Sequence, residues 1–208
     1  MLNFYVGNSN TNQAFVKIIV HLFNFNFEKN IPTFYSATAI LCSSILLFYI
    51  SAIEKNRNSK YLYWLVLSIV FLFLSIDEIA SIHEKSSILI KNHFVATGLY
   101  YRAWVIPYGI GVVIFCILYL KFLIDLPSKF RFLFVLSGAT FVLGALVFEM
   151  LGGRYVEINN DENITYAIIY TFEELLEMLG ISIFLYTLLN YIVIKYGGII
   201  ISLSDKKS

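Results

Sequence analysis

Apolar residues run along this chain in long blocks, and the length of those blocks sets the first expectation. A helix needs about 20 mainly apolar residues to cross a hydrocarbon core. Five windows meet that length: 34–53, 61–82, 101–124, 131–151 and 165–194. Residues 14–27 (AFVKIIVHLFNFNF) are apolar but short, and Lys17, His21, Asn24 and Asn26 interrupt them, which predicts a helix lying at the membrane surface instead of a sixth crossing. Pro32 separates it from the first span, and 86–98 (SSILIKNHFVATG) has similar interfacial character. The predicted fold is all-α: a polytopic transmembrane helix bundle of about five spans plus an N-terminal interfacial amphipathic helix. Its parts are an extracytoplasmic or interfacial segment 1–33, a five-helix transmembrane domain 34–196 and a short cytoplasmic tail 197–208.

Composition agrees. The 208 residues are 59% hydrophobic and 14% charged, whereas a soluble domain carries roughly 45–50% and 25%. A formal charge of +1 provides no field that would recruit nucleic acid. Cys42 and Cys116 sit in apolar stretches without a C-x-x-C spacing and read as buried thiols. Met1 to Asn12 shows no basic region followed by a cleavable apolar core, so no removable signal peptide is expected.

Lysine and arginine set the expected orientation. Lys55, Arg57, Lys60, Lys121, Lys129, Arg131, Lys195, Lys206 and Lys207 all fall at one side of a five-span bundle. Lys17, Lys29, Lys85, Lys91, Arg102 and Arg154 fall at the other, amid acidic residues. The N-terminus is therefore expected outside and the C-terminus in the cytoplasm.

That topology gathers unusual chemistry at the outer side. The second span ends SIDEIASIHEK, and on one continuous helix Asp77, Ser81 and Glu84 would form a stripe flanked by Glu78 and His83. The fourth closes with Glu149 before an expected Gly152-Gly153 turn, and Gly138, Val142, Ala145 and Glu149 would share a face permitting close helix approach. The fifth opens with Glu173, Glu174 and Glu177 within about 100° of arc, a face extended by Tyr166, Tyr170 and Gly180. An acidic residue at a helix centre costs about 2.5–3.5 kcal/mol on insertion scales, against about −0.3 to −0.6 for each large apolar residue. Lipid does not solvate such groups, so they face other helices or a wet cavity.

Several roles follow. Asp77, His83, Glu84, Glu149, Glu173 and Glu177 offer oxygen and nitrogen ligands for a divalent metal ion, although the Glu-x-x-His spacing of di-metal bundles is missing. Glu174 and Glu78 are the candidate general bases of a metal-dependent, membrane-embedded hydrolase or lipid-acting enzyme, with Arg102 and Tyr170 holding the substrate. The same carboxylates suit a proton or cation pathway in a transporter or channel subunit. They would equally suit helix packing in a non-catalytic assembly or sensor subunit. Tyr100, Tyr101 and Trp104 read as an interfacial aromatic belt. Expected partners are the lipid bilayer and a lipid or small-molecule ligand, with homo-oligomerisation open.

The combination SIDEIASIHE, AWVIPYG, GALVFEMLGG and TFEELLEMLG resembles a group of small bacterial polytopic inner-membrane proteins of undefined function, over roughly 65–190. The resemblance implies a bacterial cytoplasmic membrane and no particular mechanism.

Overall fold

A computed structural model describes residues 10–57, 60–159 and 163–199, and among these it is helical with no strand. Five helices are long and apolar enough to cross a membrane: Ile31–Lys55, Tyr61–Ala80, Val105–Ile124, Ser128–Asn159 and Ile164–Tyr196. Each falls on one of the predicted windows. Residues 1–9 and 200–208, with much of the expected tail and most of the region read for a signal peptide, lie outside the described residues.

Helix α1 (Asn10–Phe23) is short and amphipathic. Phe15, Ile18, Ile19 and Phe23 are exposed, as expected of an element whose apolar face meets lipid. A strap, residues 24–30, leads into α2 (Ile31–Lys55). Asn30 organises this junction: its amide donates to the carbonyls of Asn24 (2.7 Å) and Phe27 (2.6 Å), while its Oδ1 accepts from Thr33 N (2.9 Å) as an N-cap. Pro32 sits in the first turn, where its missing N–H costs nothing.

Helix α3 (Tyr61–Ala80) packs along α2 through hydroxyls. Ser44 Oγ donates to Ser68 O (2.8 Å), Ser68 Oγ returns a bond to Ser44 O (2.9 Å), and Ser75 Oγ donates to Ala37 O (2.9 Å). Small side chains let the two backbones approach, which is how helices associate where lipid removes the hydrophobic drive. The second span then departs from expectation. Ser81 is left-handed (φ 51°), which ends α3 and starts α4 (Ile82–Lys91) in a new direction. Asp77 and Glu84 therefore do not lie on one helical stripe.

A 3-10 turn (Gly98–Tyr100) precedes α5 (Val105–Ile124), so Arg102 lies just before the third span instead of opening it. The fourth span runs as α6 (Ser128–Val142), a π-helical stretch (Leu143–Phe148) and α7 (Glu149–Asn159). The π stretch shifts the helical phase. Gly138 consequently faces open space and does not share a face with buried Glu149, contrary to the predicted stripe. Gly152 and Gly153 are helical, not a turn. They serve close approach: a Cβ at Gly153 would lie 2.8 Å from Arg102 Cγ.

Helix α8 (Ile164–Tyr196) is capped by Asn163 and ends at Gly197 (φ 81°). It meets the fourth span backbone to backbone. A Cβ at Gly180 would come within 2.6 Å of Phe141 N, and one at Gly144 within 2.7 Å of Glu173 O. Beside this seam an aromatic core joins α3, α5, α6 and α8, with Trp64 edge-on to Phe122 (4.9 Å) and Phe71 stacked on Phe184 (4.4 Å). Cys42 and Cys116 are exposed on apolar helices, not buried as expected, and their surroundings would be lipid.

The two ends of the bundle differ in charge. At one end Glu54, 3% exposed, accepts from Lys195 (2.8 Å) and Tyr196 (2.5 Å), and Lys60 pairs with Asp125 (2.9 Å). The acidic groups collect at the other.

Candidate functional site: an acidic cavity at one end of the bundle

The first wall comes from the break at Ser81. Turning α4 away from α3 exposes the amides of its first turn, and Asp77, 4% exposed, caps one of them: its Oδ1 accepts from His83 N at 2.8 Å. Its Oδ2 accepts from Tyr108 OH (2.9 Å), and His83 Nδ1 lies 3.4 Å from Oδ1. Asp77 is thus held by three groups from α3's neighbours before any ligand is considered.

The second wall is Glu149, the first residue after the π stretch. Its Oε1 accepts from Trp104 Nε1 (3.1 Å) and lies 3.6 Å from Arg102 Nε. Arg102 also donates to Tyr166 OH (3.2 Å) and approaches Glu84 (3.8 Å). Trp104, 7% exposed, is therefore a site residue and not part of a membrane-surface belt, whereas Tyr100 is exposed and fits that reading.

The strap provides a third wall. Glu28 accepts from Ser81 Oγ and lies 3.7 Å from His83 Nε2. Burial raises the pKa of Glu28, Glu84 and Asp77 add to the rise, and Ser81 and His83 oppose it. Burial disfavours a charged His83, but the bond to Asp77 and the charges of Asp77, Glu28 and Glu78 outweigh it, so its pKa is raised. Arg102 is likewise raised: burial opposes its charge, and Glu149, Tyr166 and Glu84 more than compensate.

The fourth wall is the first half of α8, which brings in Glu173, Glu174 and Glu177. Glu173 lies against Glu149. Among the described residues, no hydrogen bond or ion pair engages Glu78, Glu174 or Glu177.

These walls line a part-open cavity of about 130 Å³. All six proposed metal ligands, both proposed general bases, and Arg102 and Tyr170 line it. Glu28, not foreseen from the sequence, raises its carboxylates to eight among the described residues, facing two described basic groups, His83 and Arg102. The one signal for Glu28 was its place in a short polar interruption before Pro32. Among the described residues, no group of three or more His, Cys, Asp or Glu is arranged to hold one metal ion.

The fold and cavity define an all-helical protein with five helices able to cross a membrane and an acid-lined cavity at one end. A family model described as a domain of unknown function (DUF8692) matches residues 5–191, and the chain belongs to that family. Comparison with curated proteins and with solved structures finds no match.

Proposed function

We propose that this multi-pass membrane protein binds a cation in the acidic cavity and exchanges it for protons, as a cation-handling transporter or channel subunit does. The observation that carries the reading is the charge imbalance: among the described residues, eight carboxylates drawn from the strap, three spans and α4 line one cavity with His83 and Arg102 as the counter-charges. Three of them, Glu78, Glu174 and Glu177, have no hydrogen-bond or ion-pair partner among the described residues. Carboxylates left unpaired at membrane depth require a proton or a cation. In a bacterial inner membrane, the basic residues at the far end of the bundle would face the cytoplasm and the cavity the outer side.

The lipid-hydrolase reading draws on the same cavity, with Glu174 and Glu78 free to accept a proton. It asks Arg102 for a head group, which would have to compete with Tyr166 and with the nearby Glu84 and Glu149, although Arg102 Nε has no hydrogen-bond partner among the described residues. Cation exchange needs no such rearrangement.

The test is cation titration of the full chain in nanodiscs, read by calorimetry and by a pH indicator in weak buffer. Saturable binding with proton release, both lost in Glu174→Gln with Glu177→Gln, is expected. Heat and proton signals identical in wild type and the double variant would refute it.

A further inference from the structure

We infer that the cation this cavity takes is a small organic ammonium ion, not a bare metal ion. The inference rests on the cation-binding reading above and goes beyond it by naming the ligand class. Three observations converge. First, the cavity is aromatic as well as acidic: Trp104, Tyr108, Tyr166 and Tyr170 line it with the carboxylates. Aromatic faces attract ammonium groups through their quadrupole, and rings combined with dispersed negative charge make the usual cage for alkylated ammonium. Tyr108 stands edge-on to Trp104 (5.1 Å between centroids) and Tyr170 edge-on to Tyr166 (5.2 Å), so ring planes turn in differing directions around the space.

Second, the carboxylates are spread around the cavity wall. A divalent metal needs several donors within about 2.0–2.6 Å of one point, and no three His, Cys, Asp or Glu among the described residues are arranged that way. An alkylammonium ion carries its charge over a larger radius and is satisfied by carboxylates at longer range. Third, Glu177, half-buried, lines the cavity without a hydrogen-bond or ion-pair partner among the described residues. It is an anion that such a ligand would meet without displacing a partner. Size agrees: an apolar cavity of about 150 Å³ accepts benzene, so 130 Å³ suits an ion of about five heavy atoms.

The experiment titrates the full chain in nanodiscs with tetramethylammonium chloride, with tert-butanol as the uncharged isostere, and with magnesium and sodium chlorides. Saturable tetramethylammonium binding is expected, with none for tert-butanol. Tyr170→Phe should retain it, Tyr170→Leu should weaken it about tenfold through loss of the ring face, and Glu177→Gln should abolish it. If magnesium or sodium binds with proton release while tetramethylammonium does not, the ammonium assignment falls and the cation site stands. If no cation binds, both fall. Equal binding of tert-butanol, or of tetramethylammonium by Glu177→Gln, would also overturn the assignment.

Discussion

Gly180→Ala tests the closest contact in the bundle. The added Cβ would sit 2.6 Å from Phe141 N and 2.8 Å from Phe141 Cα and Cβ. Comfortable carbon contacts lie at about 3.5–4.0 Å, so the new methyl is about 1 Å too near three atoms at once. Two of these belong to the α6 backbone, which no rotamer change moves, so α6 and α8 must part along the seam. Overpacking of this kind costs about 1–3 kcal/mol, and the backbone origin of the clash puts Gly180→Ala near 3. Gly138→Ala is the internal control: nothing lies within 4 Å of its Cβ, so it should be neutral or gain a few tenths of a kcal/mol from helix propensity. Thermal unfolding and denaturant titration of both variants in the same detergent measure the difference. A Gly180→Ala protein as stable as Gly138→Ala would show that α6 and α8 do not meet there, and the cavity wall above them would lose its support.

Trp104→Phe keeps a ring but removes the donor to Glu149 Oε1 at 3.1 Å; a loss of about 1.5–3 kcal/mol is expected for a bond to a charged group, read as a lowered Tm that Glu149→Gln does not deepen. Ser44 and Ser68 each donate to the other's backbone carbonyl, so Ser44→Ala and Ser68→Ala should each cost about 0.5–1.5 kcal/mol, and no loss in either variant would contradict the seam. Docking of the strap should be firmer in mild acid. The raised pKa of His83 gives a contribution fully present below about 6.5 and lost as pH climbs through the folded value. The raised pKa of Glu28 acts in the same sense, lost as pH rises from 4.5 through its folded value. Proteolysis or hydrogen exchange of residues 24–30 should accelerate as pH rises through that range, and a slope unchanged in His83→Gln would contradict the assignment.

The spans were legible because a membrane crossing is a matter of length and apolarity. The gathering of Asp77, Glu149 and Glu173 was legible for a related reason: one crossing between spans two and four makes those two parallel, and span five starts where four ends, whatever their rotation. Rotation and direction were harder to read. Nothing marks Ser81 as left-handed, since serine adopts that conformation only when its surroundings demand it. The π stretch Leu143–Phe148 has no apolar signature, yet its phase shift decides that Gly144 and not Gly138 meets α8. Trp104 suited an interfacial belt by composition; only the turn before α5 points its indole at Glu149. Glu28 reached the cavity through a strap whose path depends on the Asn30 bonds to Asn24 and Phe27.

The tightest backbone packing and the densest negative charge occur on the same turns of α8. A Cβ at Gly144 would strike Glu173 O at 2.7 Å and Glu177 Cγ at 3.0 Å, and Gly180 follows three residues later. Unpartnered carboxylates favour separation of the helices that carry them, because apart they could be hydrated. The glycine seam opposes that separation and keeps the acidic groups facing one cavity. Under the cation-binding proposal, the stability these carboxylates cost is recovered when the cation binds, so the sign of a mutation's effect depends on the ligand. Without added cation, Glu177→Gln should stabilise the protein by about 0.5–2 kcal/mol, the range common for single stabilising substitutions. With saturating cation the wild type should gain by mass action while the variant does not, and the order of their Tm values should reverse. A Glu177→Gln protein less stable than wild type under both conditions would make Glu177 a packing residue, and the charge imbalance would no longer argue for a ligand.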